Sequence, residues 1–422
     1  MTSVYGTGSR VVAVVRDHGP MSDFPDCPSP EHLRGERTSI KWTRFPDDVL
    51  PLFVAEMDFA VAPEIRKAII ERVEASDFGY LDQAGPLATA FSAFAADRWG
   101  WEVPESHVFL ATDVSAGIVE SLRLARPGPG RVLITTPVYP SFFEMLEELP
   151  VEIVQVPLLI SDEAGAAPTA RLDLDAIERE FASEAGIDAF LLCNPHNPHG
   201  LLHAHEDLTA IARLAAAHDV FVVSDEIHAP LTHRGETFVP FAPLAAEAGA
   251  LAVVATSASK GWNLAGVKCS VVVAADDRSA DLLERLPPEV ACRASIIGLH
   301  ANVAAFTEGR PWLDATVAAV ERNDDLLAEL LAEHLPGARH FRPRAGYLAW
   351  LDLRDAGLGD APYTRILTEA RVAFSNGASF GNGGTGHVRV NLACAPDTLR
   401  EAVARIAALA PVSDRPDESR IR

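Results

Sequence analysis

Cysteine is scarce in this chain of 422 residues: there are five, Cys27, Cys193, Cys269, Cys292 and Cys394, scattered and odd in number, with no CxxC pair. That excludes a disulfide framework or a Cys-based zinc site and reads as a reduced, cytoplasmic pattern. Long apolar runs are also missing. Nothing approaches the ~18–20 residues of a membrane span, and the run VVAVV at 11–15 is too short for a secretory signal and is followed at once by Arg16-Asp17. Basic residues are few, 36 Lys and Arg against 59 Asp and Glu, a net charge of −23. Nucleic acid and anionic membrane surfaces both require clustered positive charge and are excluded as main partners. A small anionic ligand needs only a few local donors and is not.

What is abundant is apolar patterning. Hydrophobic residues make up 48% of the chain, enough to bury a large core. The short runs HVFLAT (107–112), RVLITT (131–136), DAFLLC (188–193), VFVVSD (220–225) and ALAVVAT (250–256) read as buried strands. Between them EDLTAIARLAAAHD (206–219) places Leu208, Ile211, Ala212 and Ala215 on one helical face. Strands alternating with helices predict an α/β fold, a mostly parallel sheet sandwiched by helices. After about residue 305 the pattern changes to long helices and the strands GYLAWLDLR and HVRVNLA, which predicts a smaller α+β domain. The expected division is an arm over 1–30, an N-terminal segment 31–70 joining the small domain, a large domain 71–304, the small domain 305–412 and a disordered tail 413–422. Met21 offers an alternative start to Met1.

In a parallel sheet, ligands bind where strands end, so the polar residues at those ends are the candidates. Lys260, in TSASK, follows a strand beside Ser257 and Ser259, with Lys268 eight residues on. A lysine among hydroxyls suits a Schiff base beside a phosphate; taken alone it is as well explained as a strand–helix turn. Asp225 in VVSDEIH is placed to hold a proton on a pyridine nitrogen, or to cap a turn. Asn197 in NPHNPHG sits in a forced turn from which its amide can donate to a phenolate oxygen. Tyr139 in TPVYPSF offers a ring for stacking, or simple packing. Arg389, inside the apolar strand HVRVNLA, needs an anion: a substrate carboxylate or a structural ion pair. Each is weak alone; together they form the parts list for pyridoxal 5'-phosphate chemistry on an amino acid.

These motifs resemble the fold-type I pyridoxal-phosphate enzymes, and more closely the MalY/PatB-like cystathionine β-lyase (C–S lyase) branch of the class I/II aminotransferase superfamily. The resemblance runs from about Leu33 to Leu409, on KWTRFPDDVLPLFVAEMDFAVAPEI with FGY (78–80), TTPVYPSFF, NPHNPHG, VVSDEIHAPL, SASKGWNLAGVKCS and SFGNGGTGHVRVN. It implies that Lys260 binds the cofactor's aldehyde, Asp225 its ring nitrogen and Asn197 its phenolic oxygen, with Tyr139 stacked on the ring and His228 also in contact. It further implies that the Val114-Ser115 backbone, Ser257, Ser259 and Lys268 hold the phosphate and that Arg389 grips the substrate carboxylate. Tyr80 would reach the phosphate of a neighbouring subunit, making the active unit a homodimer. Phe53, Glu56, the turn TDVSAG, GLLHAHEDL and Gly346 depart from the branch's common residues. The implied activity is a C–S β-lyase on L-cystathionine or related cysteine S-conjugates. An aminotransferase with the same cofactor is the second reading, and a cofactor-binding regulatory protein acting through a protein partner the third.

Three patterns carry no site in this reading. GNGGTG (381–386) matches GxGxxG but precedes a strand instead of joining strand to helix. HAHE (203–206) lacks a distant third ligand, so no metal is expected. SDEIH has no accompanying P-loop.

Overall fold

The computed structural model describes residues 25–161, 167–359 and 361–409. Residues 1–24 of the expected arm, Met21 among them, and the expected tail at 413–422 lie outside these. Seven strands form the main sheet: β1 Val108–Ala111, β2 Gly130–Thr136, β3 Val151–Pro157, β4 Ala189–Cys193, β5 Phe221–Asp225, β6 Ala252–Thr256 and β7 Ser270–Ala274. Their order is β1-β7-β6-β5-β4-β2-β3. β7 runs antiparallel to both β1 and β6, and the remaining pairs are parallel. Every residue of β4, β5, β6 and β7 is buried, as a sheet covered on both faces requires. Leu191, Val223 and Val253 pack on one face against Ile118, while Phe190, Leu192 and Val222 pack on the other against Leu208 and Ile211.

The strands read from the sequence are present with ends shifted by one or two residues, and the helix expected at 206–219 spans His205–His218. β3 and β7 are additions. β3 is an edge strand with only Val156 buried, so it offers no continuous apolar run to recognise. β7 is apolar, but its antiparallel entry beside β6 depends on the turn made by Lys268, in left-handed conformation at φ +50°.

A second, antiparallel sheet comprises β8 Arg339–Phe341, β9 Leu348–Asp352, β10 Ser375–Asn376 and β11 His387–Asn391, in the order β8-β9-β11-β10. The helix Arg310–His334 precedes it. Leu50–Pro51 pairs in parallel with Val372–Ala373, tying the N-terminal segment to the C-terminal part of the chain. The stretch that follows, residues 53–57, then crosses toward β6. Its carbonyls are held almost one by one by side chains: Phe53 by Ser375 and Arg389, Val54 by Asn391, Glu56 by Asn391 and Lys41, and Met57 by Arg37 and Asn263. Irregular backbone without a sheet partner needs such substitutes for its buried polar groups. Among the described residues no helix is long and apolar enough to cross a membrane.

Candidate active site

Where β4, β5 and β6 end, a cavity of about 200 Å³ opens, lined by Asp113, Val114, Ser115, Tyr139, Asn197, Asp225, His228, Ser259, Lys260 and Lys268, with Ala55, Cys193, Ile227, Ala265 and Cys269 completing the wall. Three surface hollows are larger, 570–630 Å³, but their charged side chains are largely paired or face solvent. The small cavity is the one that gathers buried titratable groups with conflicting demands, which marks it as the place for chemistry.

Lys260 is delivered by a short helix, Ala258–Gly261, directly after β6. Ser257 caps that helix: its hydroxyl accepts from the Ser259 amide at 3.1 Å and donates to the Cys269 carbonyl at 2.7 Å. The Lys260 amine donates to the Ala55 carbonyl at 2.9 Å. Burial and the nearby Arg389 cation lower its pKa to about 8, with Asp225 opposing. Such a lysine is partly neutral near physiological pH and can act as nucleophile or base.

Asp225 is the last residue of β5, and among the described residues its side chain accepts only the Ile227 amide, at 3.2 Å, through Oδ1. Burial raises its pKa to about 7 against the pull of that amide and of Lys260. A buried carboxylate with so little support favours a cationic N–H partner in the cavity. Its neighbour Glu226 faces elsewhere: Oε1 takes the Ser224 hydroxyl and the Phe241 amide, and burial raises its pKa to about 8.

Arg389 is central in β11 and buried, yet its hydrogen-bond partners are neutral: the Asn197 amide oxygen at 2.9 Å, the Phe53 carbonyl at 3.3 Å and the Ser375 hydroxyl at 3.2 Å. Among the described residues Nε has no partner, and the rings of Phe380 and Tyr139 lie 5.1 and 6.0 Å from the guanidinium carbon. Burial lowers its pKa to about 10, so it remains charged. A buried cation with neutral partners wants an anion. The structural ion pair considered from sequence is thus not what holds it among the described residues.

At the opposite end, the helix Val114–Ala125 points its N-terminus into the cavity. First-turn amides have no intrahelical acceptor. The Asp113 side chain satisfies that of Ala116, while Val114 and Ser115 border the cavity. Lys268 stands beside them, paired with Asp113 at 2.8 Å. Helix amides with a lysine make an anion site.

These features fit pyridoxal phosphate: an amine, a carboxylate short of donors, a ring-sized space beside Tyr139, an anion-binding end and a buried cation without an anion. Of the residues singled out by sequence, Lys260, Asp225, Asn197, Tyr139, Val114, Ser115, His228, Ser259 and Lys268 line the cavity, and Arg389 joins it through Asn197. Ser257 does not line it: its hydroxyl accepts from the Ser259 amide, capping the helix, and donates to the Cys269 carbonyl. Tyr80 stands at the surface, 92% exposed, and contributes nothing to its own chain's cavity. His203 of HAHE bonds the Cys193 carbonyl at 2.9 Å, and GNGGTG is the turn into β11. Sequence reasoning passed over the Ala55 carbonyl, Tyr347, Ser375 and Asn391. A polar Asn391 at the end of an apolar strand was the one available signal; the role of a backbone carbonyl leaves none.

The sequence model of the aminotransferase class I and II family matches residues 47–406. A Mycobacterium tuberculosis (strain H37Rv) protein provisionally named cystathionine beta-lyase is 40% identical over 400 residues, covering 89% of this chain and 95% of that one. A Corynebacterium glutamicum protein named cystathionine beta-lyase is 34% identical, covering 92% and 99%. The crystal structure of a Corynebacterium diphtheriae protein provisionally described as a PLP-dependent beta-cystathionase superposes with a TM-score of 0.83 at 35% identity, covering 91% and 98%.

Proposed function

This chain belongs to the aminotransferase class I and II family, and from that premise we propose that it is a pyridoxal-phosphate-dependent C–S β-lyase, cleaving L-cystathionine or related cysteine S-conjugates to thiol, pyruvate and ammonia. The observation that carries the reading is the meeting of Lys260 and Asp225 with an anion-seeking Arg389 around one cavity. The choice of C–S cleavage over amino transfer is supported by relatives of nearly full length that are named cystathionine beta-lyase.

Lys260 would hold the cofactor's aldehyde carbon, Asp225 its ring nitrogen, Asn197 and His228 its phenolic oxygen, and Tyr139 its ring face. Its phosphate would take the Val114 and Ser115 amides, Ser259 and Lys268. When bound, the cofactor supplies an aldehyde that engages the substrate amine and a ring that stabilises negative charge at Cα. Arg389 clamps the substrate carboxylate and so orients the Cα–H bond, an entropic contribution. The free Lys260 amine would take the Cα proton; its lowered pKa keeps enough of it neutral to do so. The leaving thiolate departs from Cβ, and one water is consumed in the net reaction.

The reading includes a cytoplasmic homodimer in which Tyr80 reaches the neighbouring subunit's phosphate site, and a division near residue 305 between a larger cofactor-binding part and a smaller one. Support for the dimer is the surface run Ile70, Val73, Phe78 and Tyr80, all exposed.

The test is purified protein loaded with pyridoxal phosphate and given L-cystathionine, with thiol and pyruvate assayed together. Equal amounts of both, abolished by Lys260→Ala, are expected. Conversion of a 2-oxo acid without pyruvate from cystathionine would make it an aminotransferase. Absence of any turnover by the loaded protein would overturn both.

A further inference from the structure

The Ala55 carbonyl accepts two side-chain hydrogen bonds, one from the Lys260 amine and one from the Tyr347 hydroxyl, each at 2.9 Å. Neither partner of this shared contact is free to wander. Ala55 lies in the stretch 53–57, whose neighbouring carbonyls are each held by side chains. Tyr347 is fully buried, its own carbonyl accepts from the Leu392 amide at 2.8 Å, and the preceding Gly346 is held from both sides: its amide by the Leu231 carbonyl, its carbonyl by the His233 ring. The hydroxyl therefore reaches Ala55 from a rigid base. His228, which lines the cavity, packs against the tyrosine ring at 6.1 Å.

We propose that Tyr347 is a positioning residue for Lys260: its hydroxyl occupies part of the Ala55 carbonyl and so sets where, and how firmly, the free amine rests. The inference builds on the function proposed above, in which the lysine is released and must act on Cα. A carbonyl that already accepts from a hydroxyl attracts an ammonium less than a free one does. The lysine then has a defined resting point without being locked there in its charged form. Without the hydroxyl, the carbonyl gives all its acceptor capacity to the ammonium, and the amine holds its proton longer.

Tyr347→Phe tests this with little disturbance, because the ring still fills its site and the Ala55 carbonyl keeps Lys260 as a donor. In cofactor-free protein, trace acetylation with acetic anhydride across pH, read by mass spectrometry on the Lys260 peptide, should show an upward-shifted midpoint. The reactive fraction at neutral pH should fall about threefold. In loaded protein kcat should fall by about as much or more, with KM within about twofold. An unmoved Lys260 midpoint overturns the proposal. So does a variant in which all lysines change reactivity together with a lower melting temperature, since that is a packing role. If the phenylalanine variant does not fold, 3-fluorotyrosine placed at 347 decides: a stronger donor should shift the midpoint downward, and no shift overturns the idea. A chain that transaminates instead of eliminating would still show the Lys260 shift without pyruvate, so the two proposals fail separately.

Discussion

The guanidinium of Arg389 donates through Nη1 to the amide oxygen of Asn197 at 2.9 Å, joining residues 192 positions apart. That bond assigns the orientation of the asparagine: with its oxygen taken, its NH₂ is the group left to face the cavity. The residue proposed to grip the substrate carboxylate thereby holds the residue proposed to touch the cofactor.

Replacing Arg389 separates these roles. Arg389→Lys keeps a positive charge but loses the planar fork, and should raise KM for the amino acid by roughly a hundredfold. Because Asn197 also loses its anchor, cofactor affinity should weaken several-fold, measurable by titrating the cofactor-free variant with pyridoxal phosphate. Unchanged KM would remove Arg389 from the substrate site.

Asp225→Asn substitutes an amide of the same size for the carboxylate that burial holds at a pKa of about 7. The amide cannot stabilise a protonated ring nitrogen. Steady-state assays should show kcat lower by roughly a hundredfold or more, while the cofactor still binds.

Gly346 has φ +79°, and a Cβ there would meet Nδ1 of His228 at 3.4 Å. Gly346→Ala imposes a left-handed backbone on a residue that resists it, at a cost of about 1 kcal/mol. Thermal melting should show a drop of a degree or more, with KM for cofactor little changed, since the added methyl meets His228 at ordinary contact distance.

Four buried histidines in, beside or behind the Asn197 turn, His196, His199, His203 and His228, make the protein acid-sensitive. Burial and the neighbouring histidines hold His199 well below its usual value. Burial lowers His196 to about 3, with the neighbouring His203 adding to it; burial lowers His203 to about 4; burial and the Lys260 and Arg389 cations lower His228 to about 3. Their unfolded value is about 6.5. A depressed folded pKa contributes stability that is complete above pH 6.5 and is lost as pH falls toward 4 and then 3. Melting temperature should therefore fall steeply over that window. His203→Gln, whose amide can still donate to the Cys193 carbonyl, should make the fall shallower; an unaltered slope would show that His203 does not contribute.

The proposed dimer predicts that Phe78→Asp, a charge placed on a side chain 63% exposed in the single chain, weakens self-association. Light scattering should register a shift from dimer toward monomer at micromolar concentration. Tyr80→Phe, by contrast, should leave the dimer intact and weaken cofactor binding through the loss of one phosphate donor.

Much of this molecule is legible in the order of its residues. Runs such as DAFLLC and VFVVSD must be buried on both faces, because an apolar strand has no other stable place, and the polar residues at or just beyond their ends must then stand where the strand gives way to loop. That marks Asp225 directly; Asn197 and Lys260 lie four residues beyond their runs and are candidates only in combination with the others. Arg389 announces itself by the cost of an arginine in an apolar strand. Tertiary structure decided what spacing cannot encode. It gave the Ser257 hydroxyl partners in the Cys269 carbonyl and the Ser259 amide, and gave Arg389 neutral partners in place of a carboxylate. It also carried the Ala55 carbonyl across the chain to meet Lys260 and Tyr347. Every residue has the same carbonyl, so no sequence marks the one that matters; only the folded path of the backbone selects it.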